Sequence, residues 1–388
     1  MAANDLSVEQ IYIILNDIYT QATGQSAING VDTKDFVTVA TTTLKTGYDV
    51  TLNAISQVLS ETIFSVRPYT AKFKGLQVSG QRWGNHTRKL NMVDKPFEAN
   101  GEYSITDGVS YSPYTVNLPK VLQTNFYGQD TFKKSLTVMD NQLNVAFQDA
   151  SELGNFVSMT MTNISDMLEQ ARENLARAAI ANFIGGKAAA NNGQIHLLTE
   201  YNAATGLSLT GTTVRQPANF VPFMKWVYAR IKTLALMMSE RSTQYHINVT
   251  GSEISRHTPP DKLKLYMLAS EINDVDASVL SGAFNDEYLK LVDYEPVSYW
   301  QSIQSPDEIE VAASWMKADG TIDTQATAVN VDDILGVMFD EDAIGINFFD
   351  QATTTDRNGA YRFTNWTFFE NQRYWNDFTE NGLVLYID

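Results

Sequence analysis

The stretch DASELGNFVSMTMTNISDMLEQARENLARAAIANFI, residues 149–184, organises the rest of the chain. Apolar residues recur in it at steps of three or four, which is the helical period. The stripe consists of Leu153, Val157, Met161, Ile164, Leu168, Ala171, Leu175 and Ala178. At 1.5 Å per residue, roughly 35 residues span about 50 Å. The pattern predicts one long continuous helix.

The ends of this helix carry recognisable signals. Asp149 with Glu152 resembles a capping box. Gly185 and Gly186 predict its end, because glycine tolerates the left-handed conformation in which helices terminate. The broad apolar stripe favours a core helix over a coiled coil.

A polar stripe lies opposite, which predicts that one face packs and the other meets solvent. It consists of Asn155, Ser158, Thr162, Asp166, Glu169, Arg172, Glu173 and Arg177. The spacing of Glu173 and Arg177 predicts a helical ion pair.

The composition is that of a globular protein. Of the 388 residues, 44% are hydrophobic and 19% charged, enough for two or more modules with a sizeable core. The chain has no cysteine, which excludes disulfide scaffolds, thiolate metal sites and cysteine nucleophiles. No apolar run reaches the 18 or so residues of a membrane span, and no signal-peptide pattern is present. We expect a protein of the cytosol with no membrane partner.

The charge is strongly acidic and unevenly distributed. A net charge of −17 argues against electrostatic binding of nucleic acid. Residues 340–388 contain nine acids and three arginines, whereas residues 66–95 are basic. The basic residues, opposed by Asp94 alone, are Arg67, Lys72, Lys74, Arg82, Arg88, Lys89 and Lys95. The basic segment is either a solvated loop or a segment that docks on an acidic neighbour.

The rest of the chain predicts an α+β protein. Two short amphipathic helices within residues 7–63 look like an arm, and short apolar runs separated by turn residues within 69–130 predict a long hairpin. Helices and strands then alternate. The predicted elements are a helix at 218–238, a strand at 244–250, a helix at 260–270, one or two strands within 279–300, and strands at 343–349, 361–369 and 383–387.

Residues that could carry chemistry do not form a recognisable motif. The four histidines, His86, His196, His246 and His257, have no metal-ligand spacing. Nucleophile-elbow and phosphate-loop motifs do not occur. The adjacent acids at 340–342 are typical of a solvated turn, and the aromatic residues in strands are typical of a core. We expect no catalytic, cofactor-binding or metal site.

The order of parts resembles the major capsid proteins of tailed bacteriophages, with the Hong Kong 97-type fold. The segment GVMFDEDAIG at 336–345 is similar to the point where such proteins leave the axial domain. The resemblance implies five segments. They are an N-terminal arm with short helices (1–65), an extended β-hairpin loop (66–130), a peripheral domain with a spine helix (131–190), a compact α/β axial domain (191–335) and closing strands that return to the peripheral domain (336–388).

The same resemblance implies a structural function. Such a protein self-assembles into the hexamers and pentamers of an icosahedral head that encloses double-stranded DNA without sequence-specific binding. It implies a separate scaffolding protein, a portal protein at one vertex and, in some relatives, decoration proteins. It places the protein in the virion capsid, assembled in the host bacterial cytoplasm. No catalytic residues come with it.

The basic hairpin is the candidate inter-subunit contact. Arg82, Arg88 and Lys89 lie beside the turn 84–85, the expected tip, with Lys72 and Lys74 nearby. A tip far from its own body would find acidic partners on a neighbour. Two alternatives stay open at this point, an encapsulin-like nanocompartment shell and a soluble carbohydrate-binding or carbohydrate-active protein.

Overall fold

A computed structural model describes residues 15, 18–20, 73–76, 86–95, 97, 107–108, 114, 116, 118–127, 130–141, 150–278 and 294–388. The helices in these residues are a 3-10 helix Lys74–Leu76 and the α-helices α1 (Ala150–Ala189), α2 (Leu197–Thr205), α3 (Gly211–Val214), α4 (Pro217–Ser239) and α5 (Ala269–Ser278). The strands are β1 (His86–Met92), β2 (Val121–Tyr127), β3 (Asp130–Met139), β4 (Gln194–His196), β5 (Leu263–Leu268), β6 (Tyr294–Val297), β7 (Ile309–Val311), β8 (Ser314–Met316), β9 (Ile322–Thr324), β10 (Val329–Val331), β11 (Ile334–Asp340), β12 (Ile344–Asn358), β13 (Phe363–Asn376) and β14 (Gly382–Tyr386).

The long predicted helix is α1, and it is longer than expected. Its 40 residues span about 60 Å. The helix continues through Gly185 and Gly186, so the prediction that they end it is wrong. A Cβ at Gly186 would lie 2.4 Å from Cζ of Phe378, and one at Gly185 would lie 2.6 Å from Cγ1 of Val311. The two glycines therefore allow close packing against the helix. Asp149, the predicted cap, lies outside the described residues.

The apolar stripe of α1 is confirmed in part. Ile164 and Leu175 are buried, whereas Leu168 is half-buried and Ala178 is exposed. The side chains of Leu153 and Val157, with that of Met161, lie outside those described. The core face of the C-terminal half consists of Leu175, Ala176, Ala179, Ile180, Phe183 and Ile184.

The prediction that the polar stripe of α1 meets solvent is confirmed at Asp166 and is wrong further along the helix, while the side chains of Asn155, Ser158 and Thr162 lie outside those described. Glu169, Glu173 and Arg177 are all buried. Arg177 Nη2 lies 2.6 Å from Glu173 Oε1, which confirms the predicted pair, and the guanidinium also lies over the ring of Tyr299. Arg172 reaches Glu370 on β13 at 2.8 Å. Other elements cover this side of the helix. Because a buried charge is costly without a partner, these side chains form ion pairs within the protein.

A five-stranded sheet with the order β4-β14-β11-β5-β6 forms the centre of the larger part of the fold. β4 and β6 lie parallel to their neighbours, and the three middle strands are antiparallel. On one face, Val337 and Val384 pack against α1. On the other, Met338 and Leu385 pack against α4 and α2. Because helices cover both faces, the middle strands read as continuous apolar runs. The predicted tie of residues 383–387 into a sheet is confirmed.

A second sheet, of order β12-β13-β3, packs on α1. Polar pairs cross it, including Thr137 with Asn365 and Ser135 with Thr367. Residues 336–388 thus contribute strands to both sheets, and the predicted boundary at 336 falls inside β11.

Several short predicted elements are wrong. Residues 244–250 form no strand, and only Val249 among them makes an isolated bridge, to Ser252. Most of the predicted helix 260–270 is β5. β5 reads LKLYML, and a short apolar run does not distinguish a helix from a buried strand. The sequence pattern does not predict α2 and α3.

Several described residues of the N-terminal region are buried. In the arm, Leu15 and Ile18 are buried. Phe73, just before the 3-10 helix, and Leu76, its last residue, are predicted from the sequence as strand residues and belong to the core beside α1.

Candidate functional site

The predicted contact residues are not all in one place. Arg82 and Lys72 lie outside the described residues. Lys74 lies in the 3-10 helix, next to core residues. Arg88 is exposed on β1, and the adjacent Lys89 is half-buried, since successive side chains of a strand point to opposite faces.

The register of the hairpin overturns the predicted position of its tip. β1 and β2 are antiparallel, with His86 opposite Tyr127 and Met92 opposite Val121. The two strands are therefore connected through residues 93–120, which we call the distal loop. Residues 84–85, the predicted tip, lie outside the described residues; in chain order they precede β1 and do not belong to the connection between the two strands.

Lys89 is paired within its own subunit. Its Nζ lies 2.9 Å from Asp377 Oδ2 and 2.5 Å from Glu380 Oε1. Arg256 joins the group at 3.1 Å from Glu380. Burial lowers the pKa of Lys89, but the two carboxylates outweigh burial and the net pKa is raised, so the ammonium is charged at neutral pH. We call Lys89, Asp377 and Glu380 the proximal clamp. The prediction that the charge of Lys89 finds no partner on its own subunit is therefore wrong.

A second contact holds the hairpin just beyond β1. Asp94 Oδ1 lies 2.5 Å from Arg241 Nη2, and Asp94 Oδ2 accepts a 2.5 Å hydrogen bond from the backbone N–H of Ser255. This hydrogen bond is the main reason why the pKa of Asp94 is lowered, so the carboxylate is charged at neutral pH. On β2's side, Lys120 Nζ donates to the carbonyl of Gly251. We call Asp94, Arg241 and Ser255 the distal clamp.

Most of these partners are not predicted by the sequence. Asp377 and Glu380 lie in the turn between β13 and β14, almost 300 positions from Lys89. The available signal was the acidic balance of residues 340–388 against a basic segment. The sequence thus indicates that the two segments have complementary charges, but it does not indicate that they pair within one subunit.

The distal loop exposes large apolar side chains. Phe97, Tyr114, Val116 and Leu118 are each at least 78% exposed. Large apolar side chains exposed together on one segment favour a role in protein association.

Lys187, near the end of α1, is a fully buried charge-bearing group. Its Nζ donates hydrogen bonds to Asn192 Oδ1 at 2.9 Å and to the carbonyl of Tyr245 at 3.0 Å. Burial lowers the pKa of Lys187 to about 7, against a smaller opposing effect of Asp377. The amine therefore titrates near neutral pH in the folded protein.

This burial predicts a pH dependence of stability. Between pH 7 and 10 the unfolded chain binds the Lys187 proton more tightly than the folded one, so stability rises with pH by up to about 1.4 kcal/mol per unit from this group. Lys187→Met should remove this rise of stability with pH. Urea unfolding of the unassembled subunit at pH 7, 8 and 9 measures it. Parallel pH profiles for wild type and variant would contradict the buried titration.

The described residues contain no group of three or more potential metal ligands of the His, Asp and Glu type. His246 is buried and hydrogen-bonds Asn381, Asn248 and the carbonyl of Ile254, whereas His196 pairs with Asp388. These contacts give His246 and His196 structural roles. No described helix has the length and apolar content that crossing a bilayer requires.

Comparison with known proteins gives one family and a set of solved structures. The model of the family described as Phi29-like phage major capsid protein matches residues 15–386. A chain of the "Capsid structure of Staphylococcus phage Andhra" is similar with TM-score 0.55 and 11% identity, over 84% of this chain and 86% of that one. A chain of the "Structure of head fiber and inner core protein gp22 of native bacteriophage P68" is similar with TM-score 0.52 and 9% identity, over 82% and 85%. These likenesses show a shared fold. No curated protein matches the chain.

Proposed function

We propose, because the chain belongs to the Phi29-like phage major capsid protein family, that its copies form the hexamers and pentamers of an icosahedral head around double-stranded DNA. As a capsid subunit it assembles with copies of itself and resides in the virion capsid. Its role is structural. The family match over almost the whole chain is the observation that carries the proposal.

We assign the parts of the fold to the Hong Kong 97-type layout. The five-stranded sheet with α2 and α4 corresponds to the axial domain. α1 is the spine helix, and with the β12-β13-β3 sheet it makes the peripheral domain. The hairpin β1–β2 with the distal loop is the extended loop, preceded by the arm at 1–65. This assignment moves β11 and β14 from the closing strands to the axial sheet, because they pair there.

The distal loop supplies the contact that assembly needs. Its apolar residues are exposed in the single subunit, so covering them on a neighbour releases water from apolar surface. Arg82, Arg88, Lys72 and Lys74 are proposed as accompanying inter-subunit charges, whereas Lys89 is committed to its own subunit. Repetition around a closed symmetric shell allows weak individual contacts to suffice.

The remaining partners follow from this role. We propose a separate scaffolding protein, a portal protein at one vertex, and assembly in the host bacterial cytoplasm. A net charge of −17 favours enclosure of DNA without sequence-specific binding. No observation on the described residues favours the nanocompartment or carbohydrate alternatives.

Assembly is tested by producing the chain alone and together with the products of its neighbouring genes. Velocity sedimentation and negative-stain electron microscopy should show shells or capsomers, with DNA inside particles from infected cells. Monomers alone under all these conditions would overturn the proposal.

A further inference from the structure

The hairpin contacts its own subunit at several points, among them Thr87 and Lys120, and two of these contacts are ion pairs made by residues of β1 and just beyond it. The proximal clamp grips β1 at Lys89, and the distal clamp grips the chain five residues later at Asp94. At about 3.3 Å per residue, these points are roughly 16 Å apart. A single attachment leaves a pivot, whereas two attachments fix a direction.

Packing under the hairpin leaves an open space and includes one aromatic contact. A cavity of about 430 Å³ lies between β2 and the body, bordered by Phe126, Trp315, Gln372 and Trp375. The rings of Phe126 and Trp375 have centroids 6.2 Å apart. The packing of β2 on the body is therefore supplemented by the polar contacts of β1.

The two clamps differ in strength. Asp377 is 1% exposed and Glu380 9%, so loss of the Lys89 ammonium leaves buried carboxylates without that partner. Arg241 is 64% exposed, and the Asp94–Arg241 pair alone is weak. The hydrogen bond from the Ser255 N–H constrains the orientation of the Asp94 carboxylate but does not make the distal clamp strong.

We propose that Lys89 and Asp94 are positioning residues for assembly, which fix the direction in which the distal loop leaves its own subunit and thereby select the neighbouring copy that it reaches. The inference rests on the proposed shell function. Direction is a property of the single subunit, however, and is measurable without assembly.

The absence of cysteine permits a direct test with spin labels. Cysteines at Leu118, just before the Lys120 contact, and at Ala229, exposed on α4, report the loop-to-body distance by pulsed electron resonance. We expect a narrow distance distribution in the isolated wild-type subunit. Lys89→Gln and Asp94→Asn should each broaden it at least twofold, and the double variant further, while the melting temperature changes little in Asp94→Asn.

Controls separate positioning from general damage. Arg88→Gln, on the exposed side of the same strand, should keep the narrow distribution, and Lys89→Arg should restore it. If Lys89→Gln fails to fold, the Asp94→Asn variant still tests the positioning role. An unchanged width of the distance distribution in Asp94→Asn or in the double variant overturns the positioning role.

The same variants assembled with the scaffold should give particles of mixed size. Broad distances with uniform wild-type shells would overturn the link to neighbour selection, while failure of the wild type to form shells would contradict the proposed function instead.

Discussion

Ile180→Asp leaves no soluble folded subunit. Ile180 is 1% exposed and packs between α1 and the central sheet. The substitution buries an unpaired carboxylate, which costs several kcal/mol, against a total stability of about 5–15 kcal/mol for a typical domain. Soluble yield and circular dichroism measure the loss.

The matched control is Ala178→Asp, two residues earlier on the same helix and exposed. It introduces the same charge and the same unfavourable helix propensity without burial. We expect this variant to be folded and to melt close to wild type. Equal behaviour of the two variants would show that the face containing Ile180 is not core.

Replacing the apolar residues of the distal loop by serine abolishes assembly but not folding. The variant carries serine at Phe97, Tyr114, Val116 and Leu118, all exposed in the single subunit. Full burial of a large apolar side chain is worth about 1.5–3 kcal/mol. Every copy loses these contacts, so shell yield by light scattering should fall at least tenfold while the melting temperature is unchanged.

Serine at Leu207 and Ile303 provides the control, because these side chains are also exposed and apolar but lie outside the hairpin. This control should assemble at nearly wild-type yield. Normal shells from the four-residue variant would rule out the distal loop as an apolar contact.

The sequence predicts the parts of the fold that depend on local pattern. Periodicity over many turns identifies α1 and α4, and the apolar run at the end of the chain identifies β14. The end of α1 is mispredicted because Gly185 and Gly186 serve the packing of Val311 and Phe378, which are distant in sequence. The strand β5 is mispredicted because only its pairing with β11 and β6, which are distant in sequence, distinguishes it from a helix.

The candidate site shows the same division. The basic character of the hairpin and the acidic character of residues 340–388 are visible in composition. Which strands pair, and therefore which end of the hairpin is the tip, depends on the register of β1 with β2. Lys89 finds Asp377 and Glu380 only because the turn between β13 and β14 comes beside β1, a long-range arrangement that local spacing does not encode.

Photo-crosslinking from the distal loop tests most directly that copies of this chain build a shell through that loop. A photoreactive amino acid in place of Tyr114, which is 87% exposed in the single subunit, is activated in purified particles and in dissociated subunits. We predict covalent dimers and larger ladders on denaturing gels from the particles, with the crosslinked peptide from a second copy, and monomers from the dissociated subunits. Intact particles that yield only monomers would contradict the account.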